Sequence, residues 1–110
     1  MKYSLAELPA ESPSPGVERR RLTGESLELI DYRYEPGSRF PTHSHPAEQL
    51  TIVLSGELVF LFEEEEIRLG AGESLLIPGG RPHGAYVPED AGRTHTYNVF
   101  TPVRDKPPGG

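Results

Sequence analysis

Turn residues recur about every ten positions along this chain, and the runs between them have the short, alternating character of β-strands. Gly24-Glu25, Gly70-Ala71-Gly72, Pro78-Gly79-Gly80 and Pro88 to Gly92 each mark a reversal. With twelve Gly and twelve Pro in 110 residues, no segment sustains a helical apolar period. Such a chain is all-β, a single antiparallel sandwich or barrel around one core.

The strands follow in order. Residues 2–6 predict a short first strand, and the Pro-rich run Glu7 to Gly16 an ordered crossing loop, because Pro sustains neither helix nor central strand. Val17 to Thr23 and Ser26 to Tyr34 predict strands. Leu27 and Leu29 fall on one face of the second, and Ile30, Tyr32 and Tyr34 on the other. Glu57 to Phe62 and Ile67 to Leu69 predict a hairpin with Glu63-Glu64-Glu65-Glu66 as a solvated tip. Ser74 to Ile77, His83 to Val87 and Arg93 to Thr101 complete the set. The domain is expected to span 1–104, with a strand-rich core over 17–104, a strand and Pro-rich loop over 1–16, and a fraying tail over 105–110.

The chemistry concentrates between Gly37 and Gly56. His43 and His45 stand two apart between Pro41 and Pro46. On an extended strand both imidazoles point to one side, as two ligands of one metal must. Continued parity puts Gln49 on that face and Glu48 on the other, although a register break at Pro46 would bring in Glu48 instead. A further ligand appears at His83, which follows the stiff Pro78 to Pro82 loop. His95 has the opposite parity to Asn98 and Phe100 and reads as packing or surface.

These two stretches resemble the paired signatures of the cupin superfamily. The first uses Gly37, His43, His45, Gln49 and Gly56, and the second Gly72, Pro78, Gly80 and His83. The resemblance implies a jelly-roll β-barrel, also called a double-stranded β-helix, with one divalent ion on His43, His45, Gln49 and His83. Three imidazoles and an amide are all neutral, so the ion would keep its full charge and act as a strong Lewis acid. Zinc, nickel, manganese and ferrous iron all tolerate such a set.

The closing run Asn98-Val99-Phe100-Thr101-Pro102-Val103-Arg104 is similar to the last motif of small cupins that ketonise unsaturated uronates. That resemblance implies roles on substrate for Asn98, Phe100 and Arg104. Asn98 stands where those cupins carry Asp, and an amide orients a substrate without shuttling its proton. Arg104 suits a bidentate grip on a carboxylate. The second signature commonly ends in Asn where this chain has Val87.

Three functions remain open on these residues. The first is Lewis-acid isomerisation or tautomerisation of a small anionic sugar acid or keto acid. The second is ferrous-iron dioxygenation, and the third is non-catalytic binding of a small ligand. The net charge of −6 argues against a nucleic-acid partner, and Arg19-Arg20-Arg21 reads as a solvated strand edge. No signal core or membrane-length apolar run is present in the sequence, so a cytoplasmic protein without membrane association is expected. The absence of Cys excludes thiolate ligands. Leu50, Ile52 and Leu54 point away from the metal side, and a homodimer is the expected cover for that outer face.

Overall fold

Ten strands form two antiparallel sheets in the computed structural model, which describes residues 1–103. The strands are β1 (Glu11–Ser14), β2 (Val17–Thr23), β3 (Glu28–Tyr34), β4 (Arg39–His43), β5 (Glu48–Ser55), β6 (Glu57–Leu61), β7 (Glu66–Gly70), β8 (Ser74–Ile77), β9 (His83–Tyr86) and β10 (Thr94–Thr101). The larger sheet runs β1-β2-β3-β10-β5-β8, and the smaller β4-β9-β6-β7. The two pack face to face as a jelly roll, with Ile30, Val53, Leu58, Ile77 and Val87 wholly buried between them. Each such side chain contributes roughly 1.5–3 kcal/mol by leaving water.

Strand parity places the functional rows. On β5 Gln49, Thr51 and Val53 face in, while Leu50 and Ile52 are half-buried on the outer face and Leu54 is exposed there. On β10 Thr94, Thr96, Asn98 and Phe100 face in. The register sets Phe100 between Glu28 and Gln49, and Asn98 between Ile30 and Thr51. His95 falls on the outer face, half-buried, with its Nε2 2.8 Å from the Asp31 carboxylate.

The N-terminus departs from the sequence reading. Residues 2–6 form no strand; a 3₁₀ turn occupies Leu5–Glu7. The Pro-rich run contains β1, an edge strand bonded only to β2 and interrupted between Glu11 and Ser14. Pro13 is compatible with it because an edge strand has one side without ladder bonds to lose. Arg19 is also not a solvated edge residue. It shares the inward face of β2 with Val17, is buried, and donates from Nε to Glu11 at 3.1 Å. Arg20 and Arg21 keep partial exposure, on Glu18 and Glu11. Burial pushes the Glu11 carboxyl up, but Arg19 and Arg21 outweigh it and hold the group below its usual range. The acidic tip is exposed as expected, though Glu65 reaches across to Arg81 at 3.1 Å. Arg104 and the tail 105–110 lie outside the described residues.

Candidate metal centre

The three imidazoles meet at one mouth of the barrel, but not all from one strand. His43 ends β4 and is paired in register with His83 at the start of β9. His45 lies beyond the strand, in the loop before β5. The shared-strand geometry expected from the His-x-His spacing is therefore replaced by a strand end and a loop. The rings still converge, with centroids 4.6 Å apart for His43 and His83, 5.1 Å for His45 and His83, and 5.4 Å for His43 and His45.

The Pro-Gly-Gly turn holds the two ligand loops together. The Gly80 N–H donates to the His45 carbonyl at 2.8 Å, from a backbone with φ +82° that favours glycine. At Gly79 a Cβ would collide with the Pro46 carbonyl. Glycine at these positions is thus what lets the His83 loop lie against the His45 loop.

Each ring is held in the same tautomer. His43 Nδ1 lies 3.0 Å from the Pro41 carbonyl, His45 Nδ1 2.9 Å from that of Ala47, and His83 Nδ1 2.8 Å from that of Arg81. A carbonyl only accepts, so in the neutral form of each ring Nδ1 carries the proton and Nε2 keeps its lone pair. One ring nitrogen from each residue falls within 4.8 Å of the others. Burial, with the nearby charges of His43, His45 and Arg81, pushes the His83 pKa down to about 4 against the opposing pull of the Arg81 carbonyl. His83 is therefore neutral at physiological pH, the form that binds a metal.

Gln49 stands beside the cluster and Glu48 does not. Gln49 is buried on the inward face, whereas Glu48 is exposed. The Gln49 amide NH2 donates to Thr51 Oγ1 at 2.9 Å, which turns Oε1 toward His45 Nε2 at 3.0 Å. Two electron-pair donors thus face each other across a gap typical of adjacent ligands on one cation. The donor set fits a divalent ion: the three His could hold a metal, and the Gln49 oxygen is oriented to join them.

Below the cluster lies a cavity of about 30 Å³, and a water-sized group needs about 10–15 Å³. Its lining includes Tyr32, Tyr34, Phe40, Phe60, Asn98 and Phe100. Phe100 packs its ring 5.3 Å from that of His45. Asn98 and Phe100 are buried and inward, so the structure gathers His43, Gln49, His83, Asn98 and Phe100 around one space, with His45 against Phe100 and Gln49 at its side. Of the aromatic lining, the sequence points to Phe100 but not to Tyr32, Tyr34, Phe40 and Phe60 as part of the site, although the parity of Tyr32 and Tyr34 marks them as one face. Val87, in place of the usual Asn, is wholly buried apolar wall.

The fold and this cluster define a small jelly-roll protein with a histidine cradle at the barrel mouth. Residues 30–100 match the Cupin domain family, and the chain belongs to it. Dimethylsulfoniopropionate lyase DddQ of Ruegeria pomeroyi is 44% identical over 63 residues, which are 56% of this chain and 31% of that protein. The aligned part thus spans about a third of the curated relative's length. Among solved structures, an RmlC-like cupin from Shewanella frigidimarina superposes with a TM-score of 0.80 at 24% identity, covering 91% of this chain and 88% of its own. KdgF from Halomonas sp. superposes equally well, with a TM-score of 0.80 at 24% identity and 91% of each chain covered. At that identity the likeness is one of fold. No helix among the described residues is long and apolar enough to cross a membrane.

Proposed function

We propose that this cupin is a mononuclear metal enzyme acting on a small carboxylate, by isomerisation or tautomerisation beside the acid group. The carrying observation is the shared tautomer of His43, His45 and His83, which leaves three Nε2 lone pairs in one cluster, with the Gln49 oxygen beside that of His45. A divalent ion on these neutral donors (zinc, nickel, manganese or ferrous iron) supplies Lewis-acid polarisation of a carboxylate or carbonyl oxygen.

The chain's own residues set what enters. A cavity of about 30 Å³ admits the acid end of a substrate while a sugar ring or longer body stays at the mouth. Phe100 and Phe40 line that cavity, and Asn98 offers an amide within it. Outside the described residues, Arg104 is assigned the grip on a substrate carboxylate that the family resemblance implies. Asn98 holds no exchangeable acid proton, so this chain does not move protons with the group that the uronate-ketonising cupins carry there. The fold likeness to KdgF is compatible with a uronate substrate.

A second reading is favoured by the 44% identity to a lyase whose name specifies a sulfonium carboxylate. The same cluster would hold the carboxylate, and the aromatic rings lining the cavity suit an onium group. The outer sheet face supports a third element of the proposal, a homodimer, because Leu54 and Leu76 are exposed on it.

The test is elemental analysis of untagged protein beside His43→Ala, followed by turnover assays. Near-stoichiometric metal lost in the variant, with turnover of an unsaturated uronate or keto acid, would support the first reading. Release of a sulfide from dimethylsulfoniopropionate would move the assignment to the second. Turnover that requires iron and consumes oxygen would replace both with dioxygenation, and protein that binds no divalent ion would refute a metal enzyme.

A further inference from the structure

Two buried threonines set the polarity of the two amides in the cavity, and they set them in opposite senses. Thr51 accepts from the Gln49 NH2, so Gln49 presents its oxygen. Thr96 donates its hydroxyl proton to Asn98 Oδ1 at 3.3 Å, so Asn98 presents its NH2. Both threonines are wholly buried, and Asn98 sits beside Thr51 in the register.

The direction of the Thr96 bond is fixed by its acceptor, because an amide oxygen carries no proton and the hydroxyl must donate. Asn98 lines the cavity, together with Tyr34.

We propose that Thr96 is a positioning residue that makes Asn98 a fixed hydrogen-bond donor to a substrate oxygen, so that the cavity selects acids presenting an acceptor there. This rests on the metal-site reading above. It replaces the acid/base group expected at position 98 with an oxyanion-type contact, made by a neutral donor in a water-poor site. The substrate class that follows is a 2-oxo acid or dicarboxylate small enough to place one oxygen at the histidines and a second at Asn98. An acid with an ammonium group at that second position, which can only donate, would leave two donors facing each other and be rejected.

The experiment loads the full chain with Co(II), follows its visible absorption, and titrates oxalate into wild type, Thr96→Val, Thr96→Ser and Asn98→Asp. The side-chain amide resonances of Asn98 are read in parallel. In wild type, oxalate should shift those amide protons. Thr96→Val, close in shape but without a hydroxyl, should bind oxalate about three- to tenfold more weakly. It should leave Co(II) affinity unchanged, and Thr96→Ser should restore oxalate binding. Asn98→Asp should bind weakest, since a carboxylate repels the probe.

Wild-type oxalate affinity in Thr96→Val, with the same Asn98 amide shift, would overturn the proposal while leaving the metal site standing. Failure of wild type to bind Co(II) would instead overturn the metal reading, and this inference with it.

Discussion

His45 Nε2 and Gln49 Oε1 lie 3.0 Å apart with the proton of each group committed elsewhere, to the Ala47 carbonyl and to Thr51. Two lone pairs at that distance repel unless a cation lies between them. The pair is thus arranged for a ligand it shares, and the arrangement depends on a residue that would touch no metal.

Thr51 is the first test. Thr51→Val frees the Gln49 amide to rotate and donate to His45, which withdraws its oxygen from the cluster. Metal affinity should fall roughly tenfold, in line with other changes behind a ligand. Gln49→Glu should bind more tightly than wild type, because a carboxylate adds a full opposing charge, and Gln49→Leu more weakly. Chelator-competition titrations give all three values. Equal affinity in Gln49→Leu and wild type would remove Gln49 from the ligand set.

His83 makes the metal-free protein acid-sensitive. Its folded pKa of about 4 lies below the ordinary value near 6.5, so protons favour the unfolded chain between those limits. Stability contributed by neutral His83 is complete above about pH 6.5 and is lost as pH falls toward 4, below which both states are protonated. Urea unfolding of EDTA-treated protein from pH 7.5 to 4 should show this decline, and His83→Gln should flatten it. A decline of the same slope in His83→Gln would assign the effect to other groups.

Much of this site is legible in the sequence, and what is not has a common cause. His43, His45, Gln49 and His83 are found by spacing because each spacing encodes a strand end or a rigid loop. The inward facing of Asn98 and Phe100 follows from parity on β10. Parity fails at His45, where the strand has already ended, and the ring arrives by a loop tied to Gly80. The proton-directing roles of Thr51 and Thr96 escape because alternation reports facing but not which partner donates. Arg19 reads as solvated since its cover, β1, is an edge strand concealed by Pro13. Long-range cover of this kind has no local signature.

Gly79 tests how far the cluster depends on the approach of its loops. Gly79→Ala sets a methyl group against the Pro46 carbonyl, and the His83 loop must move away from the His45 loop. Overpacking of this sort costs about 1–3 kcal/mol, and here the displacement falls on the ligands. The variant should melt lower and lose metal affinity together. A lower melting temperature with unchanged metal affinity would show that the loops can part without separating the rings.

The outer face of the larger sheet offers the last prediction. Leu50 pairs with Val99 on one side and Leu76 on the other, so β10, β5 and β8 present a continuous apolar band. Leu76 is 62% exposed and Leu54 40%, although both belong to regular strands that natural sheets usually finish with polar residues on the solvent side. A second copy laid across the band would bury these leucines against one another about a two-fold axis. Static light scattering should then report a dimer, and Leu54→Glu with Leu76→Glu should convert it to a folded monomer, because two carboxylates would be desolvated in the contact. The metal content of that monomer should match wild type, since the histidines lie on the opposite side of the sheet. A wild-type monomer at high micromolar concentration would dismiss the dimer, and the apolar band would then require another partner.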